Sequence, residues 1–499
     1  MLDPFPPSAF TWEHAAHLLN RAGFGGTPEE VDSLRRMGLP DAVDFLVDYQ
    51  KTPDDYAAPA WSVPDPAEVE QIRLLRGMRK GSQERIDLQR KIYKTYSQRM
   101  VQLHEWWLER MRTTGRPLQE KMTLFWHGLF ATSHTKVRNP LLMWQQNEAF
   151  RQRAVGQWND LLLAMAQSPA MLLWLDGNQS KKGAPNENFA REVMELFTLG
   201  EGHYTEQDIK ESARAFTGWH TDAFTGKFYA IPAQFDKGRK TYLGQTGNFS
   251  GEEVIGILAR EPRSSEYVWE RLWRYFGSEE PNPGVSSALA LQFQQSGLEF
   301  KPVLRTLFLS REFYAPGVVR AQVKGPVQWL VGSCRSLERT LPPTGPTYQM
   351  MKRLGQVVFA PPSVKGWDSG VSWISTNTLL DRYNFAAYLV HGRPLGSGAG
   401  GKQNPVEKAA AKMGMAEGGD HPQPVAFQGV DVRKLFSPDE LANPDALLAA
   451  LERRCIQAKL PDDRLASLKS FLSAQKSSNP ETVRGAIRLL MSTPDYQLT

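Results

Sequence analysis

A chain of 499 residues, 41% hydrophobic and 23% charged, can bury a large core, either as one large helical body or as two to four domain-sized units. Its 59 basic and 54 acidic residues leave a net charge of +5, too little over this length to argue for nucleic acid as a partner. No run of about 18 apolar residues is present, so no membrane span is expected, and the two cysteines, Cys334 and Cys455, define no zinc, haem or disulfide pattern.

Helix signals dominate along the chain. The N-terminus, MLDPFPPSAFTWEHAAHLL, lacks a basic region followed by an apolar core and is not expected to be a secretory signal. Thr27-Pro28-Glu29-Glu30 combines an N-cap, a proline at the first helical position and a glutamate at the third. From Pro66 to Thr113 the sequence predicts one or two long helices. Its 73–99 stretch is rich in Lys and Arg, which makes either a solvated face or a surface for a polyanion. Asn186–Trp219 predicts two helices joined by a Gly-containing turn, with ionic and aromatic side chains packed unusually densely. Short alternating segments between 221 and 247 predict a small β-hairpin insertion. Residues 393–428, rich in Gly, Pro, Ala and Lys, read as a mobile linker. After it, 429–499 forms a C-terminal helical unit, with caps at Ser437-Pro438, Asn443-Pro444 and Asn479-Pro480. The expected fold is mostly α. A large bundle-like body (1–392) carries the hairpin, and the C-terminal unit packs on it.

The chemistry-bearing candidates start in the Asn186–Trp219 stretch. Glu187, Arg191 and Glu195 share one helix face, and Glu192 and Glu195 are i, i+3 neighbours with Cβ atoms roughly 5–6 Å apart. That spacing is near the separation of about 5–5.5 Å in retaining glycosidases. Two acids on one helix point the same way, however, and Arg191 favours their ionised forms. The set is therefore an acid–base site, a metal site, or a buried lattice joining Glu192 and Glu195 to Arg191 and Arg214. No histidine follows a glutamate at Glu-x-x-His spacing, so the metal is left undetermined, as is any cofactor. His127, in Phe125-Trp126-His127, is either a core histidine or a ligand or acid–base group facing a cleft. No Gly-x-Ser-x-Gly nucleophile elbow occurs. Gly396–Lys402 approaches a phosphate loop, but Gln403 stands where Ser or Thr is needed, so it reads as linker. Gly218-Trp219 and Gly366-Trp367 place tryptophans at loop boundaries, where they plug a core or stack on sugar rings. Lys365, Trp367 and Asp368 are candidate rim residues of a carbohydrate groove.

Several segments together carry a family resemblance: His17–Gly25 (HLLNRAGFG), Phe125–Ser133 (FWHGLFATS), Pro169–Leu172, Asn186–Trp219, Lys240–Gly244 (KTYLG), Trp273–Phe276 (WRYF) and Pro361–Trp367 (PPSVKGW). In this order they resemble the bacterial family catalogued as domain of unknown function 1800, over nearly the whole chain. The resemblance implies a protein that is often exported. It also implies frequent association with a sulfatase-like family, domain of unknown function 1501, and hence work on extracellular polymers. Phe235-Asp236 stands where the family often has His-Asp, so a role built on that histidine is not expected here. Two alternatives result. The first is an enzyme on polysaccharide or another polyanionic polymer, using His127, Glu192 and Glu195 with Arg191 and Arg214. The second is a non-catalytic partner of a sulfatase-like protein, in which the same charges are structural.

Overall fold

The computed structural model describes residues 2–222, 225–392, 427–474 and 479–499. Most of the linker expected at 393–428 lies outside the described residues. Helices dominate, as expected. Their starts follow from local chemistry: Thr27, Ser437 and Ser250 each accept a bond from the N–H three residues on, while that residue's glutamate accepts the cap's own N–H.

The described helices include α1 (Trp12–Arg21), α2 (Pro66–Gly77), α3 (Gln83–Thr113), α4 (Pro117–Leu129), α5 (Pro140–Gln152), α6 (Glu187–Glu195), α7 (Glu206–Ala215), α8 (Pro262–Phe276) and α9 (Pro326–Ser336). The expected long helical stretch is thus two helices, α2 and α3. Among the described residues the strands form two small antiparallel pairs. β1 (Trp219–Asp222) pairs with β2 (Lys227–Ala230), and β3 (Lys240–Tyr242) with β4 (Gln245–Gly247), so the hairpin insertion is double. None of the described helices is long and apolar enough to cross a membrane.

Among the described residues two apolar cores form, and α4 serves both. It gives Leu118, Met122, Phe125, Trp126 and Leu129 to one core and Leu124 to the other. The second core joins residues of the 327–390 region to side chains between Val430 and Tyr496, so the C-terminal helices share an interior with the body. Every residue of α4 except Gly128 is buried, which marks it as the central helix.

Burying α4 also buries Glu120, which is 0% exposed. Its carboxylate accepts from Arg110 Nε on α3 at 2.5 Å, from Arg151 Nε and Nη2 on α5 at 2.6 and 3.1 Å, and from Trp107 Nε1 at 2.8 Å. Asp54 and Glu148 bind the outer nitrogens of the two arginines. Burial pushes the Glu120 carboxyl up, but the charges and hydrogen bonds of Arg151 and Arg110 outweigh it and hold the pKa below the ordinary value. A buried ionic lattice is therefore present, on α3, α4 and α5. Cys334 and Cys455 are both buried and unpaired.

Candidate functional site

A cleft of about 560 Å³ opens beside α4, within the range of ligand pockets. Its walls come from α4, α8, the end of α6, the 322–328 segment and the 364–373 loop.

The loop is held against α4 by two devices. Gly366 has φ +85°, and a Cβ there would overlap the carbonyl oxygen of Gly128, so only glycine permits this approach. His127 supplies the second. Its Nε2 accepts the N–H of Phe359 at 2.9 Å, which steadies a residue with φ +60°, a costly value for a side chain of that size. An acceptor Nε2 requires the neutral ring with its proton on Nδ1. Burial lowers the His127 pKa to about 3, in keeping with that form. The ring of Trp367 stands edge-on to His127, with centroids 5.2 Å apart, and lines the cleft.

The electrostatics of the cleft differ from those of its surroundings. Lys121, Arg271, Arg274 and Lys365 face Glu195, Glu201, Glu279 and Asp368. Among the described residues none of these eight forms an ion pair within 4 Å. The rest of the surface is laced with pairs such as Arg263–Glu270 and Arg305–Asp48. Tyr204 donates its hydroxyl to Glu195 Oε2 at 2.6 Å. The Glu279 carboxylate lies where a side chain at residue 370 would stand, a place that Gly370 leaves open. Burial raises the Glu279 pKa, against the pull of Arg274 and Arg21. Trp373, Tyr267 and Tyr275 add aromatic surface, and Gln322, Gln328 and Gln356 add amides.

The structure brings together four of the sequence-derived candidates: Glu195, Lys365, Trp367 and Asp368 all line the cleft. Glu192 does not line it, but it interacts electrostatically with Glu195 and Lys365. Its pKa is raised by burial and by Glu195. His127 does not reach the cleft; it is 1% exposed, beneath the loop it anchors. Arg191 makes a two-pronged pair with Glu206 on an exposed face, both bonds at 2.9 Å. Arg214 binds Asp236 at 2.9 and 3.1 Å and Glu211 at 2.8 Å. Hydrogen bonding to Arg214 lowers the Asp236 pKa to about 2. The lattice of Glu192, Glu195, Arg191 and Arg214, one of the three alternatives, is thus not formed among the described residues, because each arginine has a nearer carboxylate. Lys240 Nζ sits 4.8 Å from the ring of Phe235, the residue that departs from the family pattern.

Residues 17–498 match the family described as Protein of unknown function (DUF1800). The chain belongs to the DUF1800 family. No curated protein and no solved structure matches it. Four of the seven segments that carried the DUF1800 resemblance reach the cleft. Phe125–Ser133 gives Phe125, Gly128 and Leu129, Asn186–Trp219 gives Glu195, Trp273–Phe276 gives Arg274 and Tyr275, and Pro361–Trp367 gives Lys365 and Trp367. Lys121, Arg271 and Glu279 were not legible as site residues, since each is an isolated position without motif spacing. For Lys121 a signal existed in Glu120-Lys121, two opposite charges inside a helix with no other Lys, Arg, Asp or Glu. Among the described residues no three His, Cys, Asp or Glu side chains group as metal ligands.

Proposed function

We propose that the cleft binds a segment of polysaccharide and that Glu279 and Glu195 perform acid–base chemistry on it. The observation that carries this reading is the set of charged side chains left without ion-pair partners on a wall that also holds Trp367, Trp373, Tyr267 and Tyr275. Charges held apart in this way are available to a ligand, and aromatic faces offer sugar rings a stacking surface. Glu279 has the raised pKa that suits a proton donor. Glu195, oriented by the Tyr204 hydroxyl, supplies the acceptor. Trp367 and Trp373 hold the sugar faces, while Lys365 and Arg271 meet polar or acidic substituents.

The test is release of reducing ends from a panel of neutral and acidic polysaccharides. Glu279→Gln should lower turnover by a factor of about 10² or more, with the melting temperature unchanged. If no polysaccharide is bound or cleaved, and neither Glu279→Gln nor Trp367→Ala changes any binding, the enzyme reading fails. The scaffold for a sulfatase-like partner then takes its place.

A further inference from the structure

The deep wall of the cleft carries positive charge that the protein does not balance. Lys121 lines the cleft yet is only 6% exposed. Its amino group donates to Gln328 Oε1 and, at 3.5 Å, to the Asn20 carbonyl, which leaves a third tetrahedral position unused. The rings of Phe24 and Tyr275 lie 5.1 and 5.4 Å from it and favour its charged form. Arg21 on α1 is 1% exposed. One of its nitrogens donates to the Val318 carbonyl at 2.8 Å, while Nε and Nη1 are buried with no hydrogen-bond partner among the described residues. The acid that acts on Arg21 is Glu279, which also interacts with Arg274. Arg21 and Arg274 thus share one carboxylate, neither within 4 Å of it, and among the described residues no carboxylate pairs with Lys121.

We infer that this wall is an anion subsite, in which Lys121, backed by Arg21 and Arg274, receives the acidic group of a charged sugar, a carboxylate or a sulfate ester. The inference rests on the cleft being a glycan site and narrows its ligand to acidic glycans. Its physical basis is that a buried cation without a partner costs several kcal/mol, which an incoming anion offsets. In the free protein, burial and the Arg21 charge push the Lys121 pKa well below the ordinary lysine range. A bound anion acts against that push and favours the charged ammonium. Arg21 acts on Lys121 electrostatically and the Tyr275 ring lies beside it, while Glu279, in the same cleft, opposes an anion.

The experiment is isothermal titration of the full chain with a neutral cellohexaose, an oligogalacturonate hexamer and a sulfated carrageenan hexamer. The acidic hexamers should bind at least 10-fold more tightly than the neutral one. Lys121→Met should bring the acidic hexamers down to the affinity of cellohexaose, and the tighter of the two acidic ligands identifies the group. Equal affinity for neutral and acidic hexamers, or a preference that survives in Lys121→Met, overturns the subsite and leaves the glycan reading standing. If no hexamer binds, the glycan reading fails. Free glucuronate and sulfate then decide the subsite: binding that depends on Lys121 supports it, and none overturns it. If Lys121→Met does not fold, the wild-type preference decides alone, and its absence overturns the inference.

Discussion

Glu120→Gln isolates the buried lattice on α3, α4 and α5. The glutamine keeps the shape but offers a single acceptor oxygen where the carboxylate accepts from Trp107, Arg110 and Arg151. Its amide N–H groups would then face a guanidinium or an indole N–H. Breaking a buried pair from one side costs about 3–5 kcal/mol. Asp54 and Glu148 still hold the outer nitrogens of the two arginines, so the lower end, about 3 kcal/mol, applies. For 499 residues, unfolding entropy of about 2.1 cal/mol/K per residue gives ~1 kcal/mol/K, and the melting temperature should fall by about 3 °C. Differential scanning calorimetry at neutral pH reads this directly, with Glu206→Gln as the exposed control expected to match wild type. The difference should also shrink in acid. The Glu120 pKa is depressed in the folded protein, so its stabilisation is complete above the ordinary carboxylate range and is lost as pH falls through the folded value. A Glu120→Gln protein that melts together with Glu206→Gln would refute the reasoning.

Two further substitutions probe the loop that walls the cleft. His127→Gln keeps an acceptor for the Phe359 N–H but removes a ring whose pKa falls from 6.5 to about 3 on folding. Wild-type stability should therefore decline as pH drops below about 6.5, by up to ~1.4 kcal/mol per unit from this group, and the decline in urea midpoint should be shallower in the variant. Gly366→Ala forces a side chain into the left-handed region and against the Gly128 carbonyl. It should cost at least about 1–2 kcal/mol and release Trp367 to solvent, seen as a red shift in tryptophan fluorescence.

Much of the local structure was legible because it is set by neighbouring residues. Thr27, Thr205, Ser437, Asn443 and Asn479 cap helices where their side chains reach the N–H groups two or three residues on. The hairpin segment is written in alternation and glycine turns. Part of the candidate wall was legible for the same reason, since Lys365, Trp367 and Asp368 lie close together on a glycine-bent loop. The rest is a product of packing. Lys121, Arg271 and Glu279 come together only when α4 and α8 meet, and no spacing in the chain records that. A lattice on the Asn186–Trp219 helices stayed among the alternatives because i, i+4 charges look alike whether their helix ends up inside or outside. Arg191 found Glu206 in solvent, while Arg110 and Arg151 were carried inward by the apolar residues around them.

Helix α4 holds four tasks at fixed angular offsets. Glu120 ties two neighbouring helices, Lys121 meets the cleft, His127 fastens Phe359, and Gly128 seats Gly366. Each residue of an α-helix turns the next by about 100°. One inserted or deleted residue between Lys121 and His127 would therefore swing the loop fastenings away from the loop while the lattice stayed in place. The spacing along this helix works as a ruler, and point substitutions should be far better tolerated there than any change of length.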